Sequence, residues 1–577
     1  MTSSQRFAVL ALLLSAAACA ARENPTYCDP SAPCLEAGTT CDVAGSRCIP
    51  DPLVVPCDDG DPSDCPGDEP FCTEGRCSTC TAAIGCGGVA PICDGESGAC
   101  RRCDGASDCL EGTGRPVCAH DGRCVTCTPG EGCGGASPVC DADRGACRAC
   151  SADDECTTAC DETTGRCVEE DDAIFLAPDA SPVERACTRL APCRDLAAAA
   201  LAAAGSRTWI LMAPGDYAGS SLVWTRPRLL HVVAHGAAIS ALDGPALVVR
   251  GGGVELEGGA VHGRIDCDGS VSTIRPSLTL SGTSIEALDR GVDVIACDAL
   301  LESVSVARAE VGVGLAGGAA VEANKLSITD VEAGIHVDGG VLTGKGITIE
   351  RASTSGLALL EGVVDVAHAR ILDGGGLGVL SGKPTFPGAS PTLRLHASEI
   401  AGNRGGGVRL TKGEYSITST LIVENGNGSG PVAGVLIQAA TGTFAFNTVV
   451  SNLGARTTRT EPGTPPVRYV TVAPPIRCEL GQALTASIVE ASPQGEEEPL
   501  HGCEITSSAW LDAMTPGGLI CDPRFLDADS TTLARDYHLG AGSNCVDRAL
   551  AGGVETDLDG DARPIGAAPD LGADEAR

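Results

Sequence analysis

One spacing limits the folds open to this 577-residue chain more than any other. The step Gly312-Val313 recurs as Gly334-Ile335, Gly356-Leu357 and Gly378-Val379, each 22 residues on. Gly291-Val292 lies 21 residues before it, and Gly407-Val408 and Gly434-Val435 continue the series after longer gaps. Short alternating segments travel with it: Val304-x-Val306, Leu326-x-Ile328 and Ile347-x-Ile349. Alternation of this kind marks half-buried strands. A repeat of this length holds two or three of them and can bury its apolar side only against the repeats above and below. The predicted fold from about residue 173 onward is therefore a coil of stacked parallel strands, a parallel β-helix, with the glycines at its tight corners. Asn403, Asn425 and Asn452 end similar strands and are expected to stack in one turn, where asparagine tolerates the left-handed conformation. Leucine-rich repeats have similar periods but need a Leu/Asn consensus that is missing here. An immunoglobulin-like sandwich would not hold a 22-residue register four times.

Composition narrows the reading further. Aromatic residues make up only 3%, so the core must be built from Val, Ile, Leu and Ala. With 40 basic and 76 acidic residues the net charge is −36, which argues against nucleic acid or anionic lipid as a non-specific partner. The 33 cysteines argue against a cytosolic enzyme, where they would stay reduced. A hydrophobic share of 43% excludes wholesale disorder. At roughly 100–200 residues per domain the length suggests about three to five domains, or one repeat array with appendages.

Between residues 28 and 167, 24 cysteines fall into six groups of four, beginning at Cys28, Cys57, Cys80, Cys103, Cys127 and Cys150. Three groups share the spacing C-x5-C-x6-C-x6-C, and two are near copies: Cys86-Gly-Gly-Val-Ala-Pro-Ile-Cys93 and Cys133-Gly-Gly-Ala-Ser-Pro-Val-Cys140. An Asp early in the second half and a Gly shortly before the last Cys supply turn geometry between two short strands. A unit of 23 residues or so has no useful core. The prediction is a hairpin module with two disulfides, each worth roughly 2–4 kcal/mol, with all three pairings open. Zinc is the rival reading, because Cys77-x-x-Cys80 and Cys100-x-x-Cys103 have ligand-pair spacing. The array carries 30 acidic and 10 basic residues between 20 and 172, which suits a stiff hydrated stalk, with a binding surface for something cationic as the other reading. Val168-Glu-Glu-Asp-Asp172 reads as an acidic linker.

At the N-terminus, Arg6 and the apolar run Phe7–Leu14 precede Ser15-Ala-Ala-Ala-Cys19, the make-up of a signal peptide over 1–19. Ala16-Ala17-Ala18-Cys19 resembles a bacterial lipobox, although Ala16 stands where that motif prefers Leu. Cys19 is the odd cysteine of the 33, so it is expected to be lipidated, with ordinary cleavage and free secretion as the other reading.

Residues 173–577 resemble the right-handed parallel β-helix (pectin-lyase-like) superfamily. The resemblance begins with Ala173-Ile-Phe-Leu-Ala-Pro-Asp179, Pro192-Cys-Arg-Asp195 leading into an Ala/Leu run over 196–204, and Trp209-Ile-Leu-Met-Ala-Pro-Gly-Asp-Tyr217. It implies a strand, a short helix that caps the open end of the coil, and a second strand. At the other end stand Asp522-Pro-Arg-Phe-Leu-Asp527, Asp536-Tyr-His-Leu539, Asp557-Leu-Asp-Gly-Asp-Ala-Arg-Pro564 and Pro569-Asp-Leu-Gly-Ala-Asp-Glu575. These are similar to the C-terminus of the choice-of-anchor Q type, whose members usually carry a surface anchor. The eight remaining cysteines are expected to pair in sequence order: Cys187–Cys193 as a local closure, then Cys267–Cys297, Cys478–Cys503 and Cys521–Cys545.

Enzymes of the superfamily act on polysaccharides through carboxylates on outer strand faces, with Ca2+ or an acid–base pair. Glu310 and Glu332 hold the same place on adjacent coils, about 5 Å apart, and are the catalytic or cation-binding candidates. Asp557-x-Asp559-Gly-Asp561 imitates a Ca2+ loop but has Ala568 where the twelfth-position carboxylate belongs, so a structural turn competes with it. No triad spacing, phosphate loop or dinucleotide fingerprint occurs. The expected function is that of an exported non-enzymatic binding, adhesion or structural protein at a bacterial outer membrane or cell surface, as a lipoprotein or free outside the cell. The alternative is a polysaccharide lyase or glycoside hydrolase on the same scaffold. Expected partners are a polysaccharide or another cell-surface molecule, with no nucleic acid, membrane contact only through the lipid, a monomeric state, and no cofactor apart from the Ca2+ considered above.

Overall fold

In the N-terminal region the computed structural model describes residues 39–42, 47–50, 71–73, 76–78, 86 and 92–94; from 100 to 576 it is described with short gaps. Cys19 lies outside these residues. The chain divides into two compact units, Met1–Val168 and Glu169–Arg577.

In the first unit each described module is an antiparallel hairpin. Val139–Asp141 pairs with Ala146–Arg148, which sets Cys140 opposite Cys147. Asp141 Oδ1 accepts the N–H groups of Asp143 and Arg144 at 3.1 and 3.2 Å, and Gly145 at φ +58° closes the turn. Asp161 and Gly165 repeat the device between Cys160–Asp161 and Arg166–Cys167. The disulfides join first to third and second to fourth cysteine: Cys103–Cys118 with Cys109–Cys124, Cys127–Cys140 with Cys133–Cys147, and Cys150–Cys160 with Cys156–Cys167. A third-to-fourth bond would only staple a hairpin already held by its ladder. The observed pairing ties the first half of the module onto that hairpin and closes loops of 10 to 15 residues, where the entropy gain lies. With these sulfurs consumed, the zinc reading has no thiolates in the described modules.

In the last module Arg148 forks onto Glu155, with Nη1 to Oε2 at 3.1 Å. That bond and the Ser151 N–H hold the Glu155 carboxyl down to about 2. A lowered value in the folded state means the contribution is present above the ordinary carboxylate range and disappears as pH falls toward 2. NMR titration should therefore find Glu155 ionising near pH 2, and Arg148→Ala should move it up toward the ordinary range, with the Ser151 bonds still holding it partly down.

The second unit is one 31-stranded parallel sheet wound into a coil. Each turn visits three faces, called here sheets 1, 2 and 3. One turn runs through Gly253–Glu257 on sheet 1, then Ala260–Asp268, which bends from sheet 2 into sheet 3. The next repeats it as Ser277–Ser281, Ser284–Glu286 and Arg290–Ile295. Strands of this sheet pair in parallel with their equivalents one turn on, as Val313 with Ile335 and Ile335 with Leu357, while Arg456–Glu461 and Val467–Val472 form a separate antiparallel hairpin. Parallel connections of this kind are right-handed. Inward side chains form continuous ladders such as Ile328, Ile349, Ile371, Ile400 and Ile422, all at most 1% exposed. Each buried Ile contributes roughly 1.5–3 kcal/mol. The helix Leu196–Ala202 starts at Asp195, whose side chain accepts the Ala198 N–H at 2.6 Å, and its Leu196, Ala198 and Ala199 extend the coil core at its first turn.

Two expectations about the corners need correction. The periodic glycines are not left-handed: Gly312, Gly334, Gly356 and Gly378 are absent from the positive-φ positions and sit near the start of sheet 3 strands. They are glycine because a Cβ at Gly334 would lie 2.3 Å from the Gly356 carbonyl oxygen and 2.5 Å from Ile349 Cγ2. The left-handed residues are different ones. Ser303, Lys325, His368, Ala397, Ser419, Phe446 and Ala486 turn sheet 1 into sheet 2, and Arg308, Asp330, Arg351, Asp373, Glu424 and Ser451 turn sheet 2 into sheet 3. Such a conformation costs about 1–2 kcal/mol for a non-glycine residue. It persists because the ladders on both sides fix the backbone. Asn403, Asn425 and Asn452 do stack, but one residue after the left-handed positions Gly402, Glu424 and Ser451. Their amides form a buried ladder, Asn403 Nδ2 donating to Asn425 Oδ1 at 3.0 Å and Asn425 Nδ2 to Asn452 Oδ1 at 3.1 Å.

Candidate functional site: a cleft beneath the C-terminal tail

Early sheet 2 strands bury only their middle residue, as in Ser327–Thr329 and Thr348–Glu350. Leu421–Val423 and Thr448–Val450 are buried at all three positions, so something covers their outer side. It is the tail. Leu421, Val423, Phe446 and Val450 pack with Cys521, Tyr537, Leu539, Cys545 and Leu571 in a second core. The tail runs along the corner between sheets 1 and 2. His396 Nε2 meets Thr556 Oγ1 at 2.8 Å, Ser419 Oγ donates to the Thr556 carbonyl at 2.8 Å, and the Ala573 N–H donates to Thr448 Oγ1 at 2.9 Å.

Arg563 pins this arrangement from a fully buried position. Its Nη1 donates to Glu575 Oε1 at 2.9 Å and to the Asp570 carbonyl at 3.2 Å, its Nη2 to the Gly572 carbonyl at 2.9 Å, and its guanidinium lies 4.8 Å from the Phe446 ring centre. Burial pushes the Glu575 carboxyl up and the Arg563 guanidinium down. Each is tolerable inside only because the other is there.

The three carboxylates considered together as a Ca2+ loop part company. Asp557 is fully buried, and its oxygens take the N–H groups of Asp559, Asp561 and Glu575 at 3.0, 2.7 and 3.1 Å. It ties a turn together. Asp561 closes that turn with its carbonyl, which accepts the Asp557 N–H at 2.9 Å. Asp559 alone faces a cleft.

That cleft, a cavity of about 530 Å3, has His368, Arg370 and Glu399 on its coil side and Asp536, Tyr537, His538 and Asp559 on its tail side. His538 bridges two carboxylates, Nδ1 to Asp536 Oδ1 at 2.5 Å and Nε2 to Asp559 Oδ2 at 2.9 Å. Desolvation works against its charged form, but the Asp536 hydrogen bond and the fields of Asp574, Asp559 and Asp536 outweigh it and raise its pKa. Across the cleft Arg370 Nε donates to Glu399 Oε2 at 2.8 Å.

Glu310 and Glu332 are exposed on successive turns of the corner between sheets 2 and 3, where the Ala333 N–H donates to the Glu310 carbonyl at 2.7 Å. Thr354 holds the corresponding place one turn on, its N–H donating to the Glu332 carbonyl at 2.8 Å. Neither glutamate lines the cleft. The structure joins Cys187 to Cys193, Cys267 to Cys297, Cys478 to Cys503 and Cys521 to Cys545. The grouping of His538 with Asp536 and Asp559 escaped sequence reasoning, because His538 and Asp559 lie 21 residues apart on separate turns. The signal that was available is the two-sided apolar character of Leu421-Ile-Val423 and Thr448-Val-Val450.

No protein-family model and no curated protein matches the chain. Among solved structures, a crystal structure of pectate lyase Pel9A is similar to it at 14% identity and a TM-score of 0.33, over 70% of this chain and 96% of that one. The likeness is too loose to carry an argument, and the fold stands on the strand register described above.

Proposed function

We propose that this is an exported, surface-anchored binding or structural protein without enzymatic activity. Its β-helix would serve as a rigid platform and its cross-linked modules as a stalk. The observation that carries the reading is the fate of the outward charges. Arg351 pairs with Asp330 at 2.7 Å, Arg370 with Glu399 at 2.8 Å, Arg275 with Asp298 at 2.7 Å and Arg394 with Asp365 at 3.4 Å, while Arg308 pairs with Glu286. Each pair joins successive turns and occupies a carboxylate that a lyase or hydrolase would need free for proton transfer. Glu310 and Glu332, which stand outside these pairs, line neither the cleft nor the notch around Arg264. In the 570 Å3 notch lined by His262, Arg264, Glu286, Asp289 and Arg308, Arg264 is likewise engaged by Asp289 at 2.7 Å.

The disulfides suit an extracellular or secreted protein. No helix of the described residues is long and apolar enough to cross a membrane. Attachment through a lipid on Cys19 is part of the proposal, supported by the lipobox-like sequence and by the anchor-type resemblance of the tail. The rival reading, a carbohydrate-active enzyme, would draw on Glu399 and Asp559 in the cleft.

Incubation with polygalacturonate or alginate separates the two. The expected result is retardation of the protein in a polysaccharide-containing native gel, with no rise in unsaturated-product absorbance or reducing ends. Product formation that Glu399→Gln abolishes would replace this reading with the enzymatic one.

A further inference from the structure

We infer that His538, Asp559 and Asp574 form a binding site for one divalent transition-metal ion of the zinc class, beside the cleft beneath the tail. One donor atom from each lies within 4.8 Å of the other two. All three donors belong to the tail and lie on separate segments of it, so the site exists only once the tail has folded on itself.

Two features single this group out from ordinary surface acids. The first is the histidine. Asp536 holds Nδ1–H from one side, so that Nε2, directed at Asp559, is the nitrogen left to coordinate once it loses its proton. A carboxylate behind a histidine is the usual outer-shell arrangement of a metal-bound imidazole. The second is Asp574. It is only 6% exposed, and one oxygen takes the Leu539 N–H at 2.8 Å, while the other takes no hydrogen bond among the described residues. A carboxylate so placed gains from a cation more than a solvated one does.

The adjoining cavity supplies the rest. Three protein donors leave at least one coordination position, and the cleft has room for water there, as in open zinc sites. An imidazole with two carboxylates suits Zn2+ or its neighbours Co2+ and Ni2+. Ca2+ takes six to eight oxygens, which this set does not provide. Binding replaces the proton on Nε2, which passes to solvent, while the Nδ1 proton stays with its bond to Asp536. The cysteine modules are not involved, since their described sulfurs are already bonded to each other.

The test uses the full chain, purified without reductant and stripped with a chelator. Isothermal titration with ZnCl2 should show one ion per chain and CaCl2 none, and Co2+ should give a visible d–d absorption band. Zinc should also raise the melting temperature. His538→Ala and Asp559→Asn should each weaken zinc binding by at least about 100-fold, and Asp536→Asn, a positioning change, by about 10- to 100-fold. Asp559 is half-exposed, so its variant should keep the fold, which circular dichroism checks. The inference fails if no stoichiometric zinc binding occurs, if binding survives undiminished in both His538→Ala and Asp559→Asn, or if calcium binds as well as zinc.

Discussion

Gly334→Val should collapse the middle of the coil. Any side chain there meets the Gly356 carbonyl oxygen at 2.3 Å and Ile349 at 2.5 Å. The carbonyl belongs to the next turn and is held by its own ladder, so it cannot give way. Overpacking usually costs about 1–3 kcal/mol, and a backbone obstacle puts this case at or beyond the top of that range. Even Gly334→Ala should lose about 3 kcal/mol, seen as a lower urea midpoint by circular dichroism. Gly318→Ala is the control. Gly318 has φ +78° but nothing within 4 Å of an added Cβ, so it should lose only the conformational cost, about 1–2 kcal/mol. If Gly318→Ala proved the more damaging of the two, conformation rather than space would be the reason for the glycine ladder.

Arg563→Ala should free the tail while the early turns stay folded. The substitution leaves Glu575, whose side chain is 1% exposed, as a buried carboxylate without its cation. It also strips the Asp570 and Gly572 carbonyls of a donor. Breaking a buried pair from one side costs about 3–5 kcal/mol, and replacing both partners by apolar groups costs far less. Limited proteolysis should therefore cut the variant within 536–576, and Arg563→Met combined with Glu575→Leu should recover much of the resistance. Equal resistance of Arg563→Ala and the native chain would show that the apolar contacts of Leu571 and Tyr537 hold the tail unaided.

The coil was legible because its cause is periodic. Val313, Ile335 and Leu357 recur at the spacing of one turn, and the ladder they make is the core. The modules were legible for a similar reason: four cysteines with a timely Asp and Gly leave a short segment few ways to fold. Their pairing was not, since spacing alone does not tell which sulfurs end up on the same side of a hairpin. The cleft was hidden more deeply. Asp559 was singled out with Asp557 and Asp561 because they are neighbours in sequence, yet the fold turns Asp557 inward and gives Asp559 to His538.

Sequence by itself determined the repeating turn, the apolar ladder and the need for cross-links, because each follows from which residues a short segment must hide from water. Only the tertiary structure decided the conformation of the corners. Ser303, Lys325 and Arg351 have no strong local preference for positive φ and adopt it because the strands before and after them are fixed by neighbouring turns. The same holds for the tail, which brings Arg563 to Glu575 and His538 to Asp559 and Asp574 by folding on itself while its apolar residues pack on Leu421, Phe446 and Val450. A chain far apart in sequence acquires such neighbours from packing, and no local pattern encodes them.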